Sequence, residues 1–368
     1  MARRWMYSFC VALLFLTTGC LQTNVIDEVS LIRLAAYDLD DDQQLKITVS
    51  FPTFIEQGGK NVLEKGIIEA SGDTVKGTKL MLNKRAQRPL VLGQIRVILF
   101  SKALAERGLE DFVDSLYRDP SVGNRVLLAI VDGQAEEILK TEIGSGEQAG
   151  VFLADLLRQN MEQNMIPSTN LHEFLFSFYS DARDPYLPLI KKSGSSVRVA
   201  GTALFKADVV HSTLSGDESF LLKLITTPTR QATQQFTLHR EEGASSHVVI
   251  EKLNSELTKE VEKTEAGPIF HYNMTIDGEI IDYTGERNLD EPGVVKELQE
   301  QVEEEITRRL TDMLYQFRDD GIDPVGAGEF YRSTTRDWRP EEWKNSIYPA
   351  ANFKLDVELN IVQSGAIE

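Results

Sequence analysis

Apolar and polar positions along the chain alternate in one way before residue 180 and in another after residue 197. Residues 31–40 and 45–54 are β-rich runs separated by Asp41-Asp42-Gln43-Gln44, which predicts a β-hairpin. Residues 72–86 read as a helix, and a short strand starting at Val91 or Ile95 ends at Phe100. Ser101 is placed to cap a helix over 102–107, which Gly108 ends. A further helix over 109–118 stops near Pro120 at Arg118-Asp119-Pro120, 125–131 is an apolar strand, and 134–141 is a short helix. This strand–helix alternation predicts an α/β domain. A more helical stretch, 146–178, turns Val151, Leu153, Leu156 and Leu157 inward. Pro185, Pro188 and the polar run 191–196 (KKSGSS) then read as a linker.

From Val197 the pattern changes. A strand over 197–205 contains Gly201, which marks a bulge or a close backbone approach. After a short helical run at 219–224, the polar-alternating strands 235–240, 246–257 and 269–283 predict an antiparallel sheet with one wet face. Residues 292–320 form the longest helix. Its Val295, Leu298, Val302, Ile306, Leu310, Met313 and Phe317 make one stripe, with Asp290 as cap and Gly321 as terminator. A helix across the sheet buries that stripe, as would a coiled coil. Residues 353–362 close the chain as a strand alternating Phe353, Leu355, Val357, Leu359 and Ile361. The fold class expected is therefore α+β with mixed α/β parts and more than one domain. An N-terminal α/β domain over 20–190 precedes a C-terminal α+β domain over 197–368, which can subdivide near 230–290.

The N-terminus carries an address. Arg3 and Arg4 precede an apolar run at 5–16 and the exit Thr17-Thr18-Gly19-Cys20. That run is too short for a bilayer core, which takes roughly 20 residues. A charged start, an apolar centre and small residues at the exit describe a signal peptide over 1–19. The Gly-Cys end makes it a lipoprotein signal with Cys20 as the acylated residue, although Thr17 stands where such signals usually carry leucine.

Charge and cysteine content narrow the function. Asp and Glu number 57 against 39 Lys and Arg, a net −18 that becomes −20 once Arg3 and Arg4 are removed. A phosphate backbone calls for clustered cations, so this balance argues against nucleic acid as a partner. Such a body, tethered by its lipid, is also repelled by anionic headgroups, so its contact at the membrane is read as another protein rather than lipid. Both cysteines, Cys10 and Cys20, fall in the first twenty residues, which excludes a disulfide framework, a zinc–cysteine site and a cysteine nucleophile.

No motif carries a reaction. Asp38-x-Asp40-x-Asp42 begins like a calcium loop, but Gln43 stands where the turn needs glycine and Val49 where glutamate should close it. The acidic cluster is read as a solvated hairpin turn. The five histidines, at 172, 211, 239, 247 and 271, lack a metalloprotease spacing. Gly321, Gly326 and Gly328 lack the spacing of a phosphate loop and read as a post-helical loop. No Gly-x-Ser-x-Gly elbow occurs. The reading is non-enzymatic, with no cofactor and no metal. Trp338 and Trp343 flank Arg339-Pro340-Glu341-Glu342 in a polar loop, where large aromatics either anchor a partner or pack against the long helix or the sheet edge.

The order of these features resembles the Ger(x)C lipoproteins, the C subunit of nutrient germinant receptors in endospore-forming bacteria. The resemblance starts at the signal and Ile26-Asp27-Glu28. It continues through 92–109 (LGQIRVILFSKALAERGL), Arg118-Asp119-Pro120, Pro185, Pro188, 200–206 (AGTALFK) and the long helix. It ends with 326–331 (GAGEFY), Trp338, Trp343 and the closing strand before Gly365. The resemblance implies a mixed α/β lipoprotein on the outer face of the spore inner membrane. It implies two membrane-embedded partner subunits, one permease-like, and a trigger by small nutrients. It attributes no catalytic residues or cofactor to this subunit. The rival is a solute-binding lipoprotein of an importer, which would need two similar βαβ lobes.

Overall fold

The computed structural model describes residues 28–57, 60–141, 149–239 and 245–364. The signal segment, Cys20, Ile26-Asp27 and Gly365 lie outside the described residues. The first part of the chain runs β1 (Ser30–Leu31), β2 (Leu34–Leu39), β3 (Leu45–Gln57), β4 (Lys60–Gly72), α1 (Val75–Arg85), β5 (Leu90–Val91) and β6 (Val97–Ser101). It continues with α2 (Lys102–Ala105), α3 (Glu110–Tyr117), β7 (Leu127–Val131), α4 (Ala135–Lys140), α5 (Ala149–Glu162) and α6 (Leu171–Phe178). Then come β8 (Tyr186–Ser193), β9 (Ser196–Lys206), β10 (Val209–Ser215) and α7 (Gly216–Thr226).

Eight of these strands form one sheet in the order β10-β9-β8-β7-β6-β2-β3-β4. The centre, β2, β6, β7 and β8, is parallel, and an antiparallel pair of strands extends each side. Parallel strands joined by crossover helices are covered on both faces, and every residue of β6 and β7 is buried. Alternate side chains serve two cores. Tyr37, Ile98, Phe100, Leu128 and Ile130 face α1, α2, α3 and α6, while Leu34, Val97, Leu99 and Val131 face α4 and α5.

Several expectations need correction. The expected linker does not exist as a loop: Pro188 and 191–193 belong to β8, and only 194–195 make the tight turn into β9, so the sheet runs on through Ser215. A proline can lie in a strand where its missing N–H interrupts no bond, and the polar tail of β8 is exposed. The residues of β4 carry no pattern that predicts a strand, yet β4 pairs with β3 along its whole length. Asp38 is not part of the solvated turn, which is held instead by Asp40 accepting from the Asp42 and Gln44 amides. Asp38 is fully buried, and its carboxylate accepts from the Ala135 and Glu136 amides at 2.6 and 2.9 Å at the start of α4. Burial pushes its pKa up to about 6 despite those bonds. Gly201 has φ +152°, and a Cβ there would meet the Leu214 carbonyl oxygen at 1.9 Å. Next to it, Ala200 is the extra residue of a bulge against β8.

The rest of the chain is β11 (Ala232–His239), β12 (Ser245–Thr264), β13 (Gly267–Tyr283), α8 (Val294–Asp320), α9 (Ala327–Ser333), α10 (Pro340–Glu342), a wide turn at Trp343–Ile347 and β14 (Asn352–Ser364). The sheet order is β11-β12-β13-β14. The first three strands are antiparallel as expected, but β14 pairs parallel to β13. The reason is α8, a crossover helix between two strands of one sheet, which returns the chain in the same direction. Its stripe Leu298, Val302, Ile306, Leu310, Met313 and Phe317 is buried against Phe270, Tyr272, Ile276 and Leu359, so the helix lies across the sheet. Gly321 terminates it in the left-handed region at φ +66°. Asp290 does not cap its start: Gly293 holds the cap position, and the preceding loop is organised by Asn288 accepting the Asp290 amide. Helix α7 contributes Phe220, Leu221 and Ile225 to the same core and joins it to Leu204 of β9.

Candidate interaction site

The loop after α8 carries most of the features that stand out in the sequence. Trp343 is 2% exposed. Its ring stacks on Tyr348 at 5.1 Å, lies 5.3 Å from Tyr331, and meets Phe270 edge-on at 6.3 Å. Such pairs add to the area term of burial. The ring also covers Gly328, where a Cβ would come within 2.6 Å of the indole nitrogen. Trp338 differs. It is half-buried, with the Arg332 guanidinium 5.6 Å over its ring and its indole N–H unbonded. Outside both rings, Asp181, Arg339, Pro340, Glu341, Glu342 and Lys344 form an open polar concavity.

Two carboxylates that no sequence motif marks organise the same region. Asp323, 4% exposed, accepts from the Gly326 and Ala327 amides at 2.9 Å and from the Gly328 amide at 2.7 Å. Gly326 and Gly328, two of the glycines that lack phosphate-loop spacing, thus form an anion-holding turn whose anion is internal. Asp184 reciprocates: its carboxylate accepts from the Asp323 amide at 2.7 Å, and its own amide donates to the Asp323 carbonyl. Asp184 also accepts from Ala207 in the β9–β10 turn, and Lys206 donates to the Asp320 carbonyl. These bonds knot the first sheet to the end of α8. Burial pushes Asp323 up to about 6, against the three amides, and raises Asp184 as well. Both Asp323 oxygens accept from amides, so the pair ties loops together. The legible signal would have been an aspartate three residues before Gly326 at a helix start.

Beside the knot runs a cleft of about 590 Å³, with Tyr179, Lys206, Asp323 and Trp343 among its walls. Among the described residues no group of three or more His, Cys, Asp or Glu side chains is placed to hold a metal. His172 is exposed, and His211 and His271 lie 3.5 and 3.6 Å from Asp320 and Glu262. Ladder register puts His247 opposite Thr237 and His239 opposite Ser245. No helix among the described residues is long and apolar enough to cross a membrane.

Comparison with known proteins agrees along the whole chain. Residues 22–192 match the spore germination protein N-terminal domain, and 200–365 match the spore germination B3/GerAC-like C-terminal domain. The chain is 32% identical over 366 residues to spore germination protein GerQC of Bacillus cereus, covering both chains fully. It is 24% identical over 260 residues, 65% of each chain, to the putative spore germination protein YfkR of Bacillus subtilis (strain 168). The crystal structure of the GerBC protein shares the fold at a TM-score of 0.56 and 18% identity, covering 89% of this chain and 96% of that one. The chain belongs to the GerAC-like family of spore germination proteins.

Proposed function

We propose that this protein is the lipid-anchored, extracytoplasmic subunit of a nutrient germinant receptor, and that it helps trigger spore germination. The observation that carries the reading is 32% identity over the full length to a spore germination protein, in a chain whose Gly19-Cys20 step follows a charged and then apolar N-terminus. The subunit sits on the outer face of the spore inner membrane and works with two membrane-embedded subunits, one permease-like. Its own part is non-enzymatic. The two sheets differ in strand number and order, which counts against the paired lobes of an importer's solute-binding protein.

The anchor is tested at Cys20. The lipid on one residue holds a body of net charge −20 near an anionic surface that repels it. In a strain lacking the partner subunits, Cys20→Ala should move the protein from the membrane pellet to the soluble fraction. Retention of Cys20→Ala in that pellet would contradict lipid anchoring.

A further inference from the structure

Helix α1 does not fully cover the first sheet. Between them remains a cavity of about 280 Å³, floored by Ala35, Ile47 and Val49 and walled by Leu82 and Leu92. It is separate from the tryptophan loop and independent of the receptor reading. One end is polar. Tyr37 lines it, 2% exposed, with its ring held by Phe100 at 5.2 Å and Phe112 at 5.5 Å. Lys79 of α1 also lines the cavity, half-buried and without an ion-pair partner among the described residues. Burial lowers its pKa, and only the more distant charge of Asp119 works the other way. Asp119 acts on both Tyr37 and Lys79, so the three groups converge. One Asp119 oxygen is already taken by the Ser121 amide and hydroxyl, at 3.0 and 2.6 Å.

An ammonium and a phenol hydroxyl lining an otherwise largely apolar cavity are the donors that a bound anion needs. A carboxylate would accept from both at once, in charge-assisted bonds, while an aliphatic body filled the dry end. We propose that this cavity is a binding site for a small aliphatic carboxylate, with Lys79 and Tyr37 holding the carboxylate group. Asn83 fixes the site's geometry: its side chain donates to the Lys79 carbonyl at 3.1 Å and accepts from the Leu90 amide at 2.9 Å, tying α1 to β5. The same chemistry could arrive as a plain fatty acid or as an α-amino acid, whose ammonium would meet the remaining Asp119 oxygen.

The test is calorimetric titration of the full chain in detergent with 4-methylpentanoate, L-leucine and 3-methylbutylamine. The expected result is saturable binding of 4-methylpentanoate, weakened at least about tenfold by Lys79→Gln and several-fold by Tyr37→Phe. Both variants should still melt in one cooperative transition, which separates loss of binding from loss of the fold. Tighter binding of L-leucine supports an amino acid as the source, and weaker binding a fatty acid. Acetylation of Lys79 in the wild-type chain reads the same contact without mutation and should slow when 4-methylpentanoate is present. The site is overturned if neither carboxylate binds, if only the amine binds, if Lys79→Gln binds unchanged, or if Lys79 gains no protection.

Discussion

Trp338 and Trp343 share one loop and one residue type, yet they have different surroundings. Trp343 fills a socket of Tyr331, Tyr348 and Phe270, so Trp343→Ala should destabilise the protein by about 3–5 kcal/mol. Trp338 covers part of the same core but keeps an open side beneath Arg332. Trp338→Ala should cost about 1 kcal/mol while weakening recovery of the receptor complex. Urea unfolding of each variant, beside complex recovery from spores, separates the two roles. Equal losses of stability would show that both rings are core. The aspartates give a second test. The Asp38 carboxyl is raised to about 6 in the fold, so from about pH 4 to about 6 the folded state keeps a proton the unfolded chain has released. Stability therefore falls as pH rises through that window, by at most roughly 2–3 kcal/mol for this group. Asp38→Asn should lower stability overall, since one amide loses its acceptor, and should flatten the slope of melting temperature between pH 4 and 6. An unchanged slope would show that Asp38 stays ionised in the fold. The burial of Asp38 was hidden in the sequence because its partners, Ala135 and Glu136, lie almost a hundred residues further on.

At the scale of elements, the longest helix was the most legible feature. Seven apolar residues spaced three or four apart left one solution, and burial of six of them against the second sheet follows from it. Ile306→Ala should cost about 2–5 kcal/mol. Ile306→Asp should cost more, because it buries a charge without a partner. Thermal melting that matches the wild type for Ile306→Asp would show that the stripe faces water. The parallel pairing of β14 was implied by the same helix, since a strand, a long helix and a second strand make a crossover. What misled was local composition. Pro185, Pro188 and the Lys-Lys-Ser-Gly-Ser-Ser run resemble a linker. Yet β8 and β9 pair as a hairpin, from Tyr186 opposite Leu204 to Ser193 opposite Ser196 at the turn. Strand β4 lacked a clean alternation, and its place is set by pairing with β3. Tertiary pairing decided both.

At the scale of the molecule, two unlike sheets are tied by α7 and by the Asp184–Asp323 knot, and the fold is that of the spore germination family. Composition argued against nucleic acid and cysteine chemistry, and the order of weak motifs pointed to the family. The knot and the α1 cavity were not legible, because each gathers residues from distant segments that no spacing rule connects. The central claim is membership of a membrane receptor, and its most direct measurement is affinity recovery of the tagged chain from detergent-solubilised spore membranes. The account predicts that two multi-spanning membrane proteins, one permease-like, accompany a chain acylated at Cys20. Recovery of the acylated chain alone, from membranes that contain those proteins, would contradict it.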